Sequence, residues 1–172
     1  MPYKFNSYSS SKVKSEKRSL INAIEFHSDS KKEEREQALL NQAISSAQNS
    51  STKLYSIRDN TSTLKGILGF IALSASEVMI EKIKKPVVLI DLLFVSNIYR
   101  TTIYEHLDNS KVSQLLLEYA VSRFYEVREH IGVSYLILYP EGGKNNKELV
   151  EFYKSVGFAY ATNKEEWMYI KL

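Results

Sequence analysis

The chain has 172 residues, 44% hydrophobic and 25% charged, with a formal charge of +3 and no cysteine. That length suits one domain with a sizeable core. The missing cysteine excludes disulfides, thiolate zinc sites, iron–sulfur clusters and a cysteine nucleophile, and fits a reducing compartment. The longest apolar stretch, residues 86–95 (PVVLIDLLFV), is too short to span a bilayer and is broken by Asp91. The first residues, MPYKFNSYSSSK, hold no apolar leader segment. The expectation is a cytoplasmic protein that avoids the membrane.

Residues 1–18 carry Lys4, Lys12, Lys14, Lys17 and Arg18 against Glu16 alone, a net +4 that leaves −1 for the rest. This segment reads as a basic polar arm or edge strand, with one domain following over 19–172. Such an arm either touches phosphates or is simply solvated, and the second is the commoner case. Ser30-Lys31-Lys32-Glu33 has the capping-box pattern and opens a helix with Leu40, Ala43, Ile44 and Ala47 on one face, ended by residues 49–52. Strands are expected at 53–58 and 64–75, around the turn composition Asp59-Asn60-Thr61-Ser62. Residues 86–95 read as a strand buried on both faces. A long helix follows over 111–129, capped by Asn109 or Ser110, with apolar positions from Val112 to Val127 at helical spacing. Residues 133–139 (VSYLILY) form another strand, closed by Pro140 and Gly142-Gly143. A last helix over 146–156 stops at Gly157, and strands at 158–162 and 166–172 flank Asn163-Lys164. The order of elements predicts an α/β (α+β) protein with one or two parallel pairs.

Residues 146–158, NKELVEFYKSVGF, resemble a block of the GNAT acetyltransferases: an Asn, a helix with an aromatic–Tyr pair, then Gly-Phe opening a strand. Here those are Asn146, Phe152-Tyr153 and Gly157-Phe158. Residues 90–100, IDLLFVSNIYR, are similar to the family's fourth strand and the approach to its coenzyme loop. The resemblance covers roughly 50–172 and implies a single-domain GNAT fold, a mixed, mostly antiparallel sheet flanked by helices. It further implies transfer of an acetyl group from acetyl-CoA to a primary amine by direct attack. The coenzyme would lie between the strands at 86–95 and 133–139. A shorter likeness, residues 69–78 (GFIALSASEV), is to GNAT toxins that acetylate aminoacyl-tRNA. It brings a tRNA or antitoxin partner into view, beside an amine-bearing substrate and a homodimer.

The chain departs from the family in the coenzyme loop. That loop normally uses glycine-permitted backbone N–H groups at a helix start to cradle the pyrophosphate. Here no glycine stands between Gly69 and Gly132, and, counted forward from Arg100, the helix starts about eight residues late. Residues 101–109 therefore read as an insertion. Lys111 and Ser113 fall at the glycine positions.

On this resemblance Phe94, Val95, Arg100, Lys111, Val112, Ser113 and Asn146 form the coenzyme site. Tyr153 is the general acid for the leaving thiolate. Its alternative is a packing role in an amphipathic helix. Asp91 is the candidate base, its pKa expected to rise within an apolar strand; the alternative is a structural hydrogen-bonded Asp. His27, His106 and His130 have no metal-ligand spacing, so no metal site is expected. His106 lies in the unusual loop, where a solvent-exposed histidine is the simpler reading. Neither a nucleophile elbow nor a P-loop is present. The competing reading is a GNAT-shaped binding or regulatory protein that has lost acetyl-CoA.

Overall fold

Tyr3–Tyr8 forms strand β1, paired antiparallel along its whole length with β2, Lys53–Asp59. The chain then turns into a helix that composition hides. α1, Ser10–Asn22, is capped by Ser9, whose hydroxyl accepts from the Lys12 N–H, and buries only Val13 and Leu20. Two buried positions seven residues apart hold one stripe to the core while Lys12, Lys14 and Arg18 stay exposed. The boundary expected at residue 18 thus falls inside a helix. α2, Ser30–Gln48, is capped by Asp29 in place of Ser30, through a bond from the Lys32 N–H to the Asp29 carboxylate. Its expected apolar face, Leu40, Ala43, Ile44 and Ala47, is buried.

A computed structural model describes residues 1–160 and 166–171. The sheet contains β1, β2, β3 (Gly69–Ile80), β4 (Ile83–Val95), β5 (Tyr135–Leu138), β6 (Ala159–Tyr160) and β7 (Met168–Lys171). Their order is β1-β2-β3-β4-β5-β7-β6, with the β4–β5 pair parallel. α3 spans Val112–His130 and α4 Lys147–Ser155. The expected α/β class and mixed sheet are both present. The strand expected at 64–75 begins late, at Gly69, because the chain before it turns at Gly66 (φ 76°), a conformation outside the strand region. Glu81 and Lys82, both at positive φ, turn β3 into β4 without the Asn-Gly signature that would mark such a hairpin. The turn expected around Asn163-Lys164, and the strand ends at Thr162 and Leu172, lie outside the described residues.

The chain forms two compact units, Met1–Leu73 with Asp91–Leu117, and Ser74–Ile90 with Glu118–Leu172. In the first, Tyr8, Leu54, Phe70, Ala72, Leu92 and Phe94 of the sheet meet Val13, Leu20, Leu40 and Ile44 of α1 and α2. Burying a Leu, Ile or Phe of this kind contributes about 1.5–3 kcal/mol relative to exposure. Gly69 is required here: a Cβ would stand 2.5 Å from the Phe94 carbonyl oxygen and 2.9 Å from Leu116 Cδ1. In the second unit Val87, Tyr135, Ile137 and Trp167 form the core, flanked by Val78, Ile80, Leu89 and Tyr169.

Candidate active site

In the first unit the chain beyond β4 is fixed from several sides. Ser96, buried, donates its N–H to the Leu68 carbonyl and accepts the Glu25 N–H on its hydroxyl, both at 2.8–2.9 Å. Asn97 N–H donates to the Glu25 carbonyl at 2.8 Å. A 3₁₀ turn, Asn97–Tyr99, follows, and the Tyr99 hydroxyl donates to the Lys65 carbonyl at 2.8 Å. Polar groups that would otherwise be stranded by burial are all spent on this closure.

Arg100 completes it. Its Nη1 and Nη2 each lie 2.8 Å from an oxygen of Glu36 on α2, its Nε donates to the Val95 carbonyl at 2.8 Å, and its guanidinium sits 5.4 Å from the Phe94 ring centroid. Glu36 also accepts the His27 N–H at 2.8 Å. Burial alone would raise the Glu36 carboxyl; the Arg100 and His27 bonds outweigh it and hold the pKa below the usual range. The two-pronged pair is the geometry for which arginine is suited. It occupies the guanidinium edge expected to face a phosphate.

Residues 104–110 form a turn closed by the Tyr104–Ser110 bridge, with Leu107 fully buried. Asp108 and Asn109 both take positive φ. His106 Nε2 lies 3.0 Å from Asp59 Oδ2, and its ring is edge-on to Tyr104. Asp59 is fully buried at its side chain. Burial would raise its pKa, but bonds from the Thr61 hydroxyl, the Leu64 and Thr61 N–H groups and His106 bring it down to about 2. His106 was expected in solvent. Instead it anchors the loop before α3, and no spacing in the sequence links it to Asp59, 47 residues away.

The loop delivers Lys111, exposed, to the start of α3. The Gln114 and Leu115 N–H groups donate to its carbonyl at 3.1 and 3.2 Å, so Lys111 stands at the cap position. Val112 is fully buried and Ser113 half-buried. Val112 therefore offers a ligand only its backbone; its N–H and that of Ser113 belong to a first turn with no intrahelical carbonyl to receive them.

Asp91 corrects the burial argument. It is exposed on β4 and its carboxylate accepts the Thr52 hydroxyl at 3.0 Å. The neighbours on its strand alternate about it: Ile90 and Leu92 are buried, while Asp91 points to the open face. Apolar neighbours in sequence do not enclose a side chain on the opposite face of a strand.

In the second unit Asn146 caps α4, its Oδ1 accepting the Leu149 N–H at 3.3 Å and its Nδ2 donating to the Glu141 carbonyl at 3.1 Å. Tyr153 is 6% exposed, with Phe152 and Phe158 at centroid distances of 5.6 and 6.0 Å. Burial, helped by the nearby Glu141 charge, pushes its pKa up to about 12. Gly157, at φ 107°, allows the turn that sends Phe158 back, and the Phe158 N–H donates to the Tyr153 carbonyl at 3.1 Å. The described residues contain no cluster of three metal-ligating side chains. No helix among them is long and apolar enough to cross a membrane.

No family model matches the chain, and no curated protein matches it. Solved structures do. AtaT in complex with acetyl-methionyl-tRNAfMet superposes with a TM-score of 0.67 at 15% identity, over 98% of this chain and 94% of that one. A Tyr-to-Phe mutant of KacT gives 0.68 at 12% identity, over 99% and 95%. AtaTR bound with AcCoA gives 0.65 at 13% identity, over 99% and 93%. The chain has the GNAT fold. These superpositions cover 98–99% of the chain.

Proposed function

We propose that the protein is an N-acetyltransferase that moves an acetyl group from acetyl-CoA to a primary amine. The observation that carries this reading is Tyr153: a buried phenol between Phe152 and Phe158, in the Asn146…Gly157-Phe158 setting where the resemblance puts the general acid. The amine nitrogen bonds to the thioester carbonyl carbon and the carbon–sulfur bond breaks. Tyr153 gives its proton to the departing thiolate, and Asp91, oriented by Thr52, takes the proton from the amine. Apolar surroundings that raise the phenol also disfavour a bare thiolate, which favours the transfer.

Lys111 and the N–H groups of Val112 and Ser113 hold the diphosphate, with Phe94 and Val95 beside the pantetheine. Arg100 supports them through Glu36 and the Val95 carbonyl and does not meet the phosphate itself. Asn146 acts by capping α4. Similarity over 98% of the chain to AtaT in complex with acetyl-methionyl-tRNAfMet favours the α-amine of an aminoacyl-tRNA as acceptor. An antitoxin partner accords with the similarity to the AtaT toxin bound to AtaR.

Calorimetric titration with acetyl-CoA tests the reading. Saturable binding is expected, weakened about tenfold in Lys111→Ala, the scale of one charge-assisted hydrogen bond. No heat at millimolar coenzyme overturns it and leaves a binding protein on the same fold. Charged tRNA offered with free amino acids then identifies the acceptor by which amine gains the acetyl group.

A further inference from the structure

We propose that Asp59 and His106 form a latch that positions the inserted loop, and through it the start of α3, for the coenzyme. His106 is thus a positioning residue. The inference rests on the acetyl-CoA reading above and concerns a part of the site that the family's glycine loop does not contain.

The loop has no glycine, yet Asp108 and Asn109 sit at φ 57° and 53°. Left-handed residues of this kind cost roughly a kcal/mol each and persist only where surroundings over-determine them. Three contacts do so. Leu107 is fully buried. The Tyr104–Ser110 bridge closes the turn, with Tyr104 N–H to Ser110 carbonyl at 3.1 Å and Ser110 N–H to Leu107 carbonyl at 3.1 Å. His106 bonds Asp59 at 3.0 Å. Asp59 is itself immobile, because its Oδ1 receives the Thr61 N–H and hydroxyl at 2.6 Å and its Oδ2 the Leu64 N–H at 2.8 Å. The last strand residue of β2 is therefore a fixed post to which the loop is tied. Ser110 leads directly into Lys111, whose carbonyl begins α3. Movement of the loop moves that first turn. A glycine loop meets a diphosphate by close backbone approach; this loop replaces glycine's freedom with a side-chain tie at a distance.

The test compares acetyl-CoA affinity, KM and kcat for the wild type, His106→Ala and His106→Gln, with melting followed in parallel. Gln keeps an N–H donor near the Nε2 position. His106→Ala is expected to raise Kd and KM for acetyl-CoA about tenfold while kcat stays within about twofold, and His106→Gln to restore most of the affinity. Equal affinity in wild type and His106→Ala overturns the latch, as does a loss confined to kcat or a Gln variant as weak as the Ala variant. If His106→Ala does not fold, His106→Asn, whose amide is too short to reach Asp59, is read by the same criteria. Failure of the wild type to bind acetyl-CoA is a separate result: it removes the coenzyme reading itself.

Discussion

The surroundings of Arg100 and those of Tyr153 treat a polar side chain in opposite ways. Arg100 is matched at every donor that faces the protein: Glu36 takes two prongs and the Val95 carbonyl the third. Tyr153 is enclosed by Phe152 and Phe158 and is 6% exposed. A charge fully answered by protein groups holds structure and has little left for a ligand. A phenol set among aromatic rings is tied into no such ion pair. Sequence similarity alone ranks the two residues together; their surroundings separate a structural tie from the residue proposed here as the acid.

The sharpest way to break this contrast is Tyr153→Phe. Loss of the proton donor with the ring retained should lower kcat about 10²–10⁴-fold with acetyl-CoA affinity unchanged, read by steady-state kinetics beside calorimetry. An unchanged kcat would make Tyr153 a packing residue. Next, Glu36→Ala removes the partner of Arg100 and should cost about 2 kcal/mol in denaturant unfolding, since a charged group loses its hydrogen bonds in a mostly buried place. If Arg100 were instead held back from the coenzyme by Glu36, the same variant would bind acetyl-CoA more tightly. The smallest effect concerns Asp59. Its carboxyl has an ordinary value of 3.8 and is lowered to about 2 in the fold. A lowered folded-state pKa contributes stability that is present above 3.8 and is lost as pH falls towards 2. The contribution is smaller than that of the Glu36 pair, and Asp59→Asn should flatten the acid limb of the stability profile over that window. A parallel acid limb in the variant would show that other carboxylates govern it.

Much of α2, β4, α3 and α4 was legible because each buries a broad apolar stripe, and periodic burial leaves a periodic sequence. The cap at Asn146 and the stop at Gly157 could be placed because capping chemistry is local. α1 escaped because two buried residues, Val13 and Leu20, suffice to seat it among serines and lysines. The α2 cap shifted from Ser30 to Asp29 because adjacent residues offer the same acceptor chemistry and only backbone conformation chooses between them. Asp91 misled because a strand's two faces alternate, and its own face is open.

The sequence by itself determined the α/β class, the helix that carries Tyr153, and the absence of glycine in the loop before α3. These are properties of neighbouring residues, fixed by composition, periodicity and capping. The tertiary structure alone decided that Arg100 belongs to Glu36, 64 residues away, and that His106 belongs to Asp59, 47 residues away. Such pairs carry no spacing rule: what brings them together is the pairing of β2 with its neighbours and the seating of α2, which deliver Arg100 to Glu36 and add His106 to the donors that Thr61 and Leu64 already give Asp59 locally.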